Sequence, residues 1–208
     1  MRYIQKVSTP QFFIDNTAEI SKWKEYPVSK KPLKEHILKN EQNYLCIYCE
    51  SKVELNNSHL EHIKPKAGDK FPHLVFDYNN IVVSCNGNCH ADDEEHHSCG
   101  HIKDNEYNDT KFLNPVELIK IRDYFEYDID TGNITESPKD IDKAKYMIET
   151  LHLNDGSLPL ARKKSLENFI KKMNQIDKNK RKNRLIEILN KENIAFVSFL
   201  RFKYKGIL

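Results

Sequence analysis

Residues 46–66 read CIYCESKVELNNSHLEHIKPK, and this stretch decides how the rest of the chain is read. Cys46 and Cys49 frame a Cys-x-x-Cys turn, which places two thiolates on one metal at the spacing tetrahedral zinc needs. The alternative, a thioredoxin-like redox pair, calls for a βαβ setting that the flanking sequence lacks. Three further cysteines follow at Cys85, Cys89 and Cys99, enough to close a four-thiolate site. All five cysteines lie between Cys46 and Cys99, and seven of the nine histidines lie between His59 and His101. The chemistry is therefore concentrated in residues 46–103. An odd cysteine count without a secretory signal points to reduced thiols and a cytoplasmic protein rather than a disulfide framework.

Outside this stretch the composition is that of a globular protein. The chain has 208 residues, 38% hydrophobic, 31% charged and 10% aromatic, which allows one domain or two small ones. The longest uninterrupted apolar run is six residues, Tyr44 to Cys49, far below the ~20 that span a bilayer, so no membrane role is expected. A net charge of +2 hides an asymmetry: residues 157–208 carry fourteen Lys and Arg against four Asp and Glu, a net of +10, and the remainder is −8. Such a basic region suits a polyanionic partner and equally a solvated helical surface.

Helical patterning is expected over residues 17–45, broken at 27–32, with Leu33, Ile37 and Leu38 forming an apolar face after Pro32. Residues 46–103 read as loops, a few short strands and one short helix. Phe125, Tyr127 and Ile129 alternate before Asp130-Thr131-Gly132-Asn133, which predicts a β-hairpin. A helix starting near Ser137-Pro138 carries Ile141, Ala144, Ile148 and Leu151 on one face. A second runs from about 158 with Leu166, Phe169, Ile170, Met173 and Ile176. Residues 178–184 read as a basic hinge, and 194–200 as a buried element or a docking surface.

The motifs of 46–103 resemble those of HNH nucleases. Cys46-x-x-Cys49, Glu61-His62-Ile63-x-Pro65, Asn80-Ile81-x-x-x-Cys85 and a closing Cys99-Gly100-His101 occur in that family's order. Ser84-Cys85-Asn86-Gly87, Cys99-Gly100-His101-x-Lys103, Phe112-Leu113-Asn114-Pro115, Thr131-Gly132 and Leu151-His152-Leu153-Asn154, with Leu160 and Arg162 after them, are similar to the PtuB family. PtuB proteins are HNH effectors of Septu and certain retron anti-phage systems and work beside the ATPase PtuA. The resemblance covers about residues 1–170. It implies an α+β fold: a zinc-stabilised HNH (ββα-metal) module at 46–115 in a mostly helical body, with a helical segment at 1–45 and a hairpin and helices at 116–208. It also implies a PtuA-like ATPase partner, a nucleic-acid substrate and, in a retron, a reverse transcriptase with its msDNA.

The resemblance implies catalytic roles for His62, Glu61, Asn80 and His101. His62 is the candidate general base, because a neutral imidazole accepts a proton from water. Glu61 and His101 would hold one divalent cation, Mg²⁺ or Mn²⁺, at the phosphate. Asn80 is either a metal ligand or the anchor of the loop that orients His62. Neighbours on a flat strand face opposite ways, so the fold is expected to bend the Glu61–His62 segment. Structural zinc would take Cys46, Cys49, Cys85 and a fourth ligand for which Cys89 and Cys99 compete; the PtuB pattern favours Cys99 and His101 over Cys89 and His90. Lys64, Lys66 and Lys103 are candidate phosphate contacts, whereas the lysines of 178–184 read as water-facing. His59 and His73 read as structural or substrate-facing, and His90, His96 and His97 as part of a charged loop. DNA is the favoured substrate, RNA including transfer RNA the alternative. A zinc-stabilised binding module is the non-enzymatic reading, one that would not require Glu61, His62 and Asn80 together.

Overall fold

The β-branched run Ile81-Val82-Val83 has no polar face, and it forms the most buried strand of the protein. In the computed structural model, which describes residues 1–27, 29–67, 70–87 and 97–208, this is β2 (Ile81–Cys85). It runs antiparallel to β1 (Ser58–His62), pairing Ser58 with Cys85, His59 with Ser84, Glu61 with Val82 and His62 with Ile81. A two-stranded sheet is marginal by itself. Here a side chain extends it. The Gln42 amide donates to the carbonyls of Val83 and Leu45, both at 2.8 Å, and accepts from the Val83 N–H at 2.8 Å. The Ile47 N–H adds a bond to the Val83 carbonyl at 3.1 Å, which docks the Cys46–Cys49 turn on the sheet. Gln42 is fully buried. Gln42→Leu keeps the volume but orphans the Val83 N–H and the Leu45 carbonyl, and each buried orphan costs ~1–3 kcal/mol. Urea unfolding should therefore show a loss of about 2–4 kcal/mol; a midpoint equal to wild type would overturn this account.

The expected hairpin forms as β3 (Phe125–Tyr127) and β4 (Ile134–Glu136), with Phe125 opposite Glu136 and Tyr127 opposite Ile134. Its turn needs Gly132: φ is +82°, and a Cβ there would stand 2.2 Å from the Pro159 carbonyl oxygen. Asn154 pairs both backbone groups of Ile134 at 2.8 Å, and Arg162 donates to the carbonyls of Gly132 and Leu153. The motif residues Leu151–Asn154 and Arg162 thus brace the hairpin.

Seven helices occur among the described residues: α1 (Gln11–Thr17), α2 (Lys31–Ile37), α3 (Gly100–Lys103), α4 (Ile141–Thr150), α5 (Leu158–Asn174), α6 (Lys178–Asn190) and α7 (Val197–Lys203). Pro32 sits in the first turn of α2, which continues into a π-turn at Leu38–Gln42. The helical expectation for 17–45 holds only from Lys31. Residues 18–22 are non-helical, and Trp23–Glu25 make one 3-10 turn. α4 starts later than Ser137-Pro138, because the Asp140 carboxylate accepts from the Lys143 N–H and caps it there; Ile141 consequently stays exposed while Ala144, Met147, Ile148 and Leu151 are buried. Residues 178–184 are not a hinge but the first turns of α6, capped by Asp177, with Leu185 and Leu189 inward. Residues 197–200 begin α7, and all four are buried.

The whole is an α+β fold of two small antiparallel sheets among helices. Buried apolar residues from Met1 to Leu200 belong to one core. No helix among the described residues is long and apolar enough to cross a membrane.

Candidate active site

The Cys-x-x-Cys turn, the end of β2 and the start of α3 converge. The sulfurs of Cys46, Cys49, Cys85 and Cys99 all lie within 4.8 Å of one another. Burial pushes the Cys46 thiol up, but hydrogen bonds from Cys49, Cys85 and Cys99 outweigh it and hold Cys46 well below the ordinary thiol range, whereas Cys85 and Cys99 are driven well above theirs. Four thiol groups at this separation are the donor set of a closed tetrahedral metal site, and zinc fits it. Cys99 is the fourth member of this cluster; Cys89 and His90 lie outside the described residues, as does His96. Cys99 adopts φ +61° and ψ −137°, a conformation unfavourable for a residue with a Cβ. It is held there by its N–H on the Leu151 carbonyl at 2.9 Å and by its sulfur in the cluster.

The turn is tied to the C-terminal helix through Glu50. Its buried carboxylate accepts from the Ser198 N–H at 2.7 Å and the Ser198 hydroxyl at 2.6 Å, and its carbonyl accepts from the Phe196 N–H.

β1 keeps regular alternation, so Glu61 and His62 diverge rather than meet. Glu61 turns toward α3, and its Oε1 accepts from the Lys103 ammonium at 2.9 Å and the Tyr48 hydroxyl at 3.2 Å. Its Oε2 stands 3.6 Å from His59 Nε2. The ring of His101, on α3, lies 4.3 Å from the ring of His59. Gly100 packs closely against this carboxylate: a Cβ at position 100 would stand 2.9 Å from Oε2. His59, expected to be structural or substrate-facing, shares this face of the strand with Glu61 because it stands two residues before it.

Lys103 does not reach solvent. Its side chain is fully buried, on Glu61 and the His62 carbonyl, because an ionised carboxylate in this interior needs a close counter-charge. The structure therefore places it as the partner of Glu61 and not at a phosphate-facing surface. Lys66 is exposed, and Lys64 is half-buried with its ammonium 3.5 Å from Glu117. Lys64, Lys6, Asn79, Asn80, Asn114 and Glu117 line a polar cleft of about 570 Å³.

His62 faces the other side. Its Nε2–H donates to the Val75 carbonyl at 3.0 Å, and its Nδ1 is buried with no hydrogen bond. Val75 can only accept, so this contact puts the proton on Nε2 and leaves the Nδ1 lone pair uncommitted. Burial lowers the imidazole to about 4, with Lys66 and Lys103 adding to the fall against the opposing Val75 bond and Glu61, so the ring is neutral at neutral pH. The Trp23 indole stands edge-on with its centroid 4.5 Å from the imidazole, and His62 is only 5% exposed.

Asn80 makes no contact with Glu61 or the imidazole of His62. Its Oδ1 accepts from the Lys64 N–H at 2.8 Å, and its Nδ2 donates to the carbonyls of Lys64 and Leu74. The Ile63 N–H donates to the Asn80 carbonyl. One side chain thus clamps the segment after His62 to the one that presents Val75. Of the two roles expected for Asn80, this geometry is that of the loop anchor.

No family model matches the sequence. Over 134 residues it is 34% identical to a protein of Vibrio cholerae serotype O1 biovar El Tor named "Retron Vc95 putative HNH endonuclease", covering 62% of this chain and 61% of that one. Over 211 aligned positions it is 29% identical to the Escherichia coli "Retron Ec83 putative HNH endonuclease", covering 81% of this chain and 80% of that one. The match thus spans about three fifths of the Vibrio relative's length. Both names support a nuclease enzyme of the retron HNH type.

Proposed function

We propose that this chain is a metal-dependent HNH endonuclease that hydrolyses phosphodiester bonds of nucleic acid, DNA by preference, as a cytoplasmic anti-phage effector. Residues 46–115 form its nuclease module, with 1–45 and 116–208 as the surrounding body. The observation that carries this reading is the His62 imidazole, neutral and with its buried Nδ1 in no hydrogen bond, because a general base needs a lone pair that no neighbour has taken.

His62 takes the proton of the attacking water on Nδ1, while Val75 keeps the ring oriented through Nε2. Asn80 holds the two segments that make this contact. Lys103 and Tyr48 hold the Glu61 carboxylate by one oxygen. Glu61 and His101 would hold Mg²⁺ or Mn²⁺, which when bound supplies charge relief to the phosphate and its leaving oxygen. Cys46, Cys49, Cys85 and Cys99 would hold zinc, a closed site that frames α3 against the sheet. Lys64 and Lys66 flank His62 and supply phosphate contacts. Because His62 is 5% exposed, Trp23 shifts when substrate arrives. The PtuB resemblance supports a PtuA-like ATPase beside it, and the retron names of the relatives support a retron, with its reverse transcriptase and msDNA, as its setting.

The test is a cleavage assay on the zinc-loaded chain, alone and with such an ATPase, offering plasmid DNA and transfer RNA. DNA should be cut with added Mg²⁺ or Mn²⁺ and left intact with chelator. Cleavage of transfer RNA with DNA untouched would transfer the substrate to RNA. No cleavage of either polymer in any combination would favour a binding module and overturn the proposal.

A further inference from the structure

His59 and Glu61 alternate onto one face of β1, and α3 lies over that face with Gly100 at its first residue and His101 at its second. The two oxygens of Glu61 have different surroundings. Oε1 is taken by Lys103 and Tyr48, and this grip turns Oε2 toward His59 Nε2, 3.6 Å away. Two donors each ~2.1 Å from one divalent ion can stand no more than ~4.2 Å apart, and these two meet that limit.

Gly100 approaches both of these donors closely because it has no side chain. A Cβ at position 100 would lie 2.7 Å from His59 Nε2 and 2.9 Å from Glu61 Oε2, inside the contact radius of both. Gly100 has no positive φ that would demand glycine for backbone reasons, so the demand comes from the volume its hydrogen occupies. The His101 ring lies beside them on α3, with its centroid 4.3 Å from that of His59.

We propose that His59 is a third ligand of the divalent cation, completing a His59–Glu61–His101 site against which α3 closes through Gly100. This rests on the reading of Glu61 and His101 as cation ligands and extends it to a residue that reading did not include. A single carboxylate paired with a buried lysine attracts a divalent ion weakly; a second imidazole gives the site three donors from two elements and a preference for ions that accept nitrogen.

The experiment uses the zinc-loaded full chain titrated with Mn²⁺, free ion being followed by electron paramagnetic resonance and bound ion by its nitrogen couplings. Wild type should bind one Mn²⁺ with two imidazole couplings. His59→Ala should weaken binding at least ~10-fold, since even outer-shell partners of a metal contribute 10–100-fold, and should leave one coupling. Gly100→Ala keeps every ligand but sets a methyl against His59 Nε2 and Glu61 Oε2, and should weaken Mn²⁺ binding with zinc content unchanged; it carries the test should His59→Ala not fold. Unchanged affinity and couplings in His59→Ala, with binding lost in Glu61→Gln, would overturn the proposal and leave the two-ligand reading standing. Unchanged binding in Glu61→Gln would overturn both.

Discussion

His62→Ala is expected to lower nucleic-acid cleavage by ~10²–10⁴-fold, the usual effect of removing a positioned general base, while zinc content and fold are retained. The retention follows from where the ring sits. Its one hydrogen bond is to the Val75 carbonyl, and it lies on the face of β1 opposite Lys103, Tyr48 and α3. The segments on either side of it are held by Asn80 rather than by the imidazole. Truncation therefore leaves a small void under Trp23 and one carbonyl short of a partner, a cost of about 1–3 kcal/mol against a rate loss of several orders. Thermal unfolding and zinc analysis measure the first quantity, and single-turnover cleavage the second. A variant that folds, holds zinc and still cuts at the wild-type rate would remove His62 from the mechanism. Phage protection surviving in cells would point the same way, toward the binding-module reading.

Cys99→Ser should harm everything together. Structural zinc contributes ~10–16 kcal/mol of apparent binding free energy in small zinc domains, comparable to the ~5–15 kcal/mol that separates a folded domain from its unfolded chain. Losing one of four thiolates should release most of the zinc, which in wild type should be about one per chain by metal analysis. Cys99 also occupies a strained backbone position held in part by its sulfur and the Leu151 carbonyl, so the start of α3 should loosen with the metal. A loss of several kcal/mol lowers the melting temperature by ~10–20 °C in a chain of this size. Cys89→Ser should leave both zinc and melting temperature alone. The reverse pattern, with zinc lost from Cys89→Ser and kept by Cys99→Ser, would transfer the fourth ligand to Cys89.

Where local chemistry suffices, sequence and structure agree residue by residue. The hairpin at Phe125–Glu136 is written in alternation and a turn with a glycine that its φ requires. The inward faces of α4 and α5 follow from apolar spacing, although Ile141 and Ile170 fall at their edges and stay exposed. The misreadings are of a different kind. Residues 178–184 look like a hinge because seven residues with five positive charges have no apolar face of their own; Asp177 caps them into α6, and Leu185 and Leu189 anchor them from beyond. Residues 18–26 are expected to be helical, yet the chain there lays Trp23 against His62, a long-range contact with no local signature.

The sequence by itself determined the types and order of the candidate donors: clustered cysteines at metal spacing, a carboxylate beside a histidine, and a closing Cys-Gly-His. These are legible because donor chemistry is a property of single residues and of short spacings. Only the tertiary structure decided what each donor faces. Lys103 is a surface cation by composition and a buried counter-ion in fact, since the fold brings a carboxylate to it from forty-two positions earlier in the chain. His59 looks incidental until α3 crosses β1 and sets Gly100 and His101 over it. The free nitrogen of His62 depends on a carbonyl at Val75 that any residue would offer, so no side chain in the sequence announces it. Which donor meets which cation is settled by distances of a few ångströms between distant segments, and those distances exist only once the core has closed.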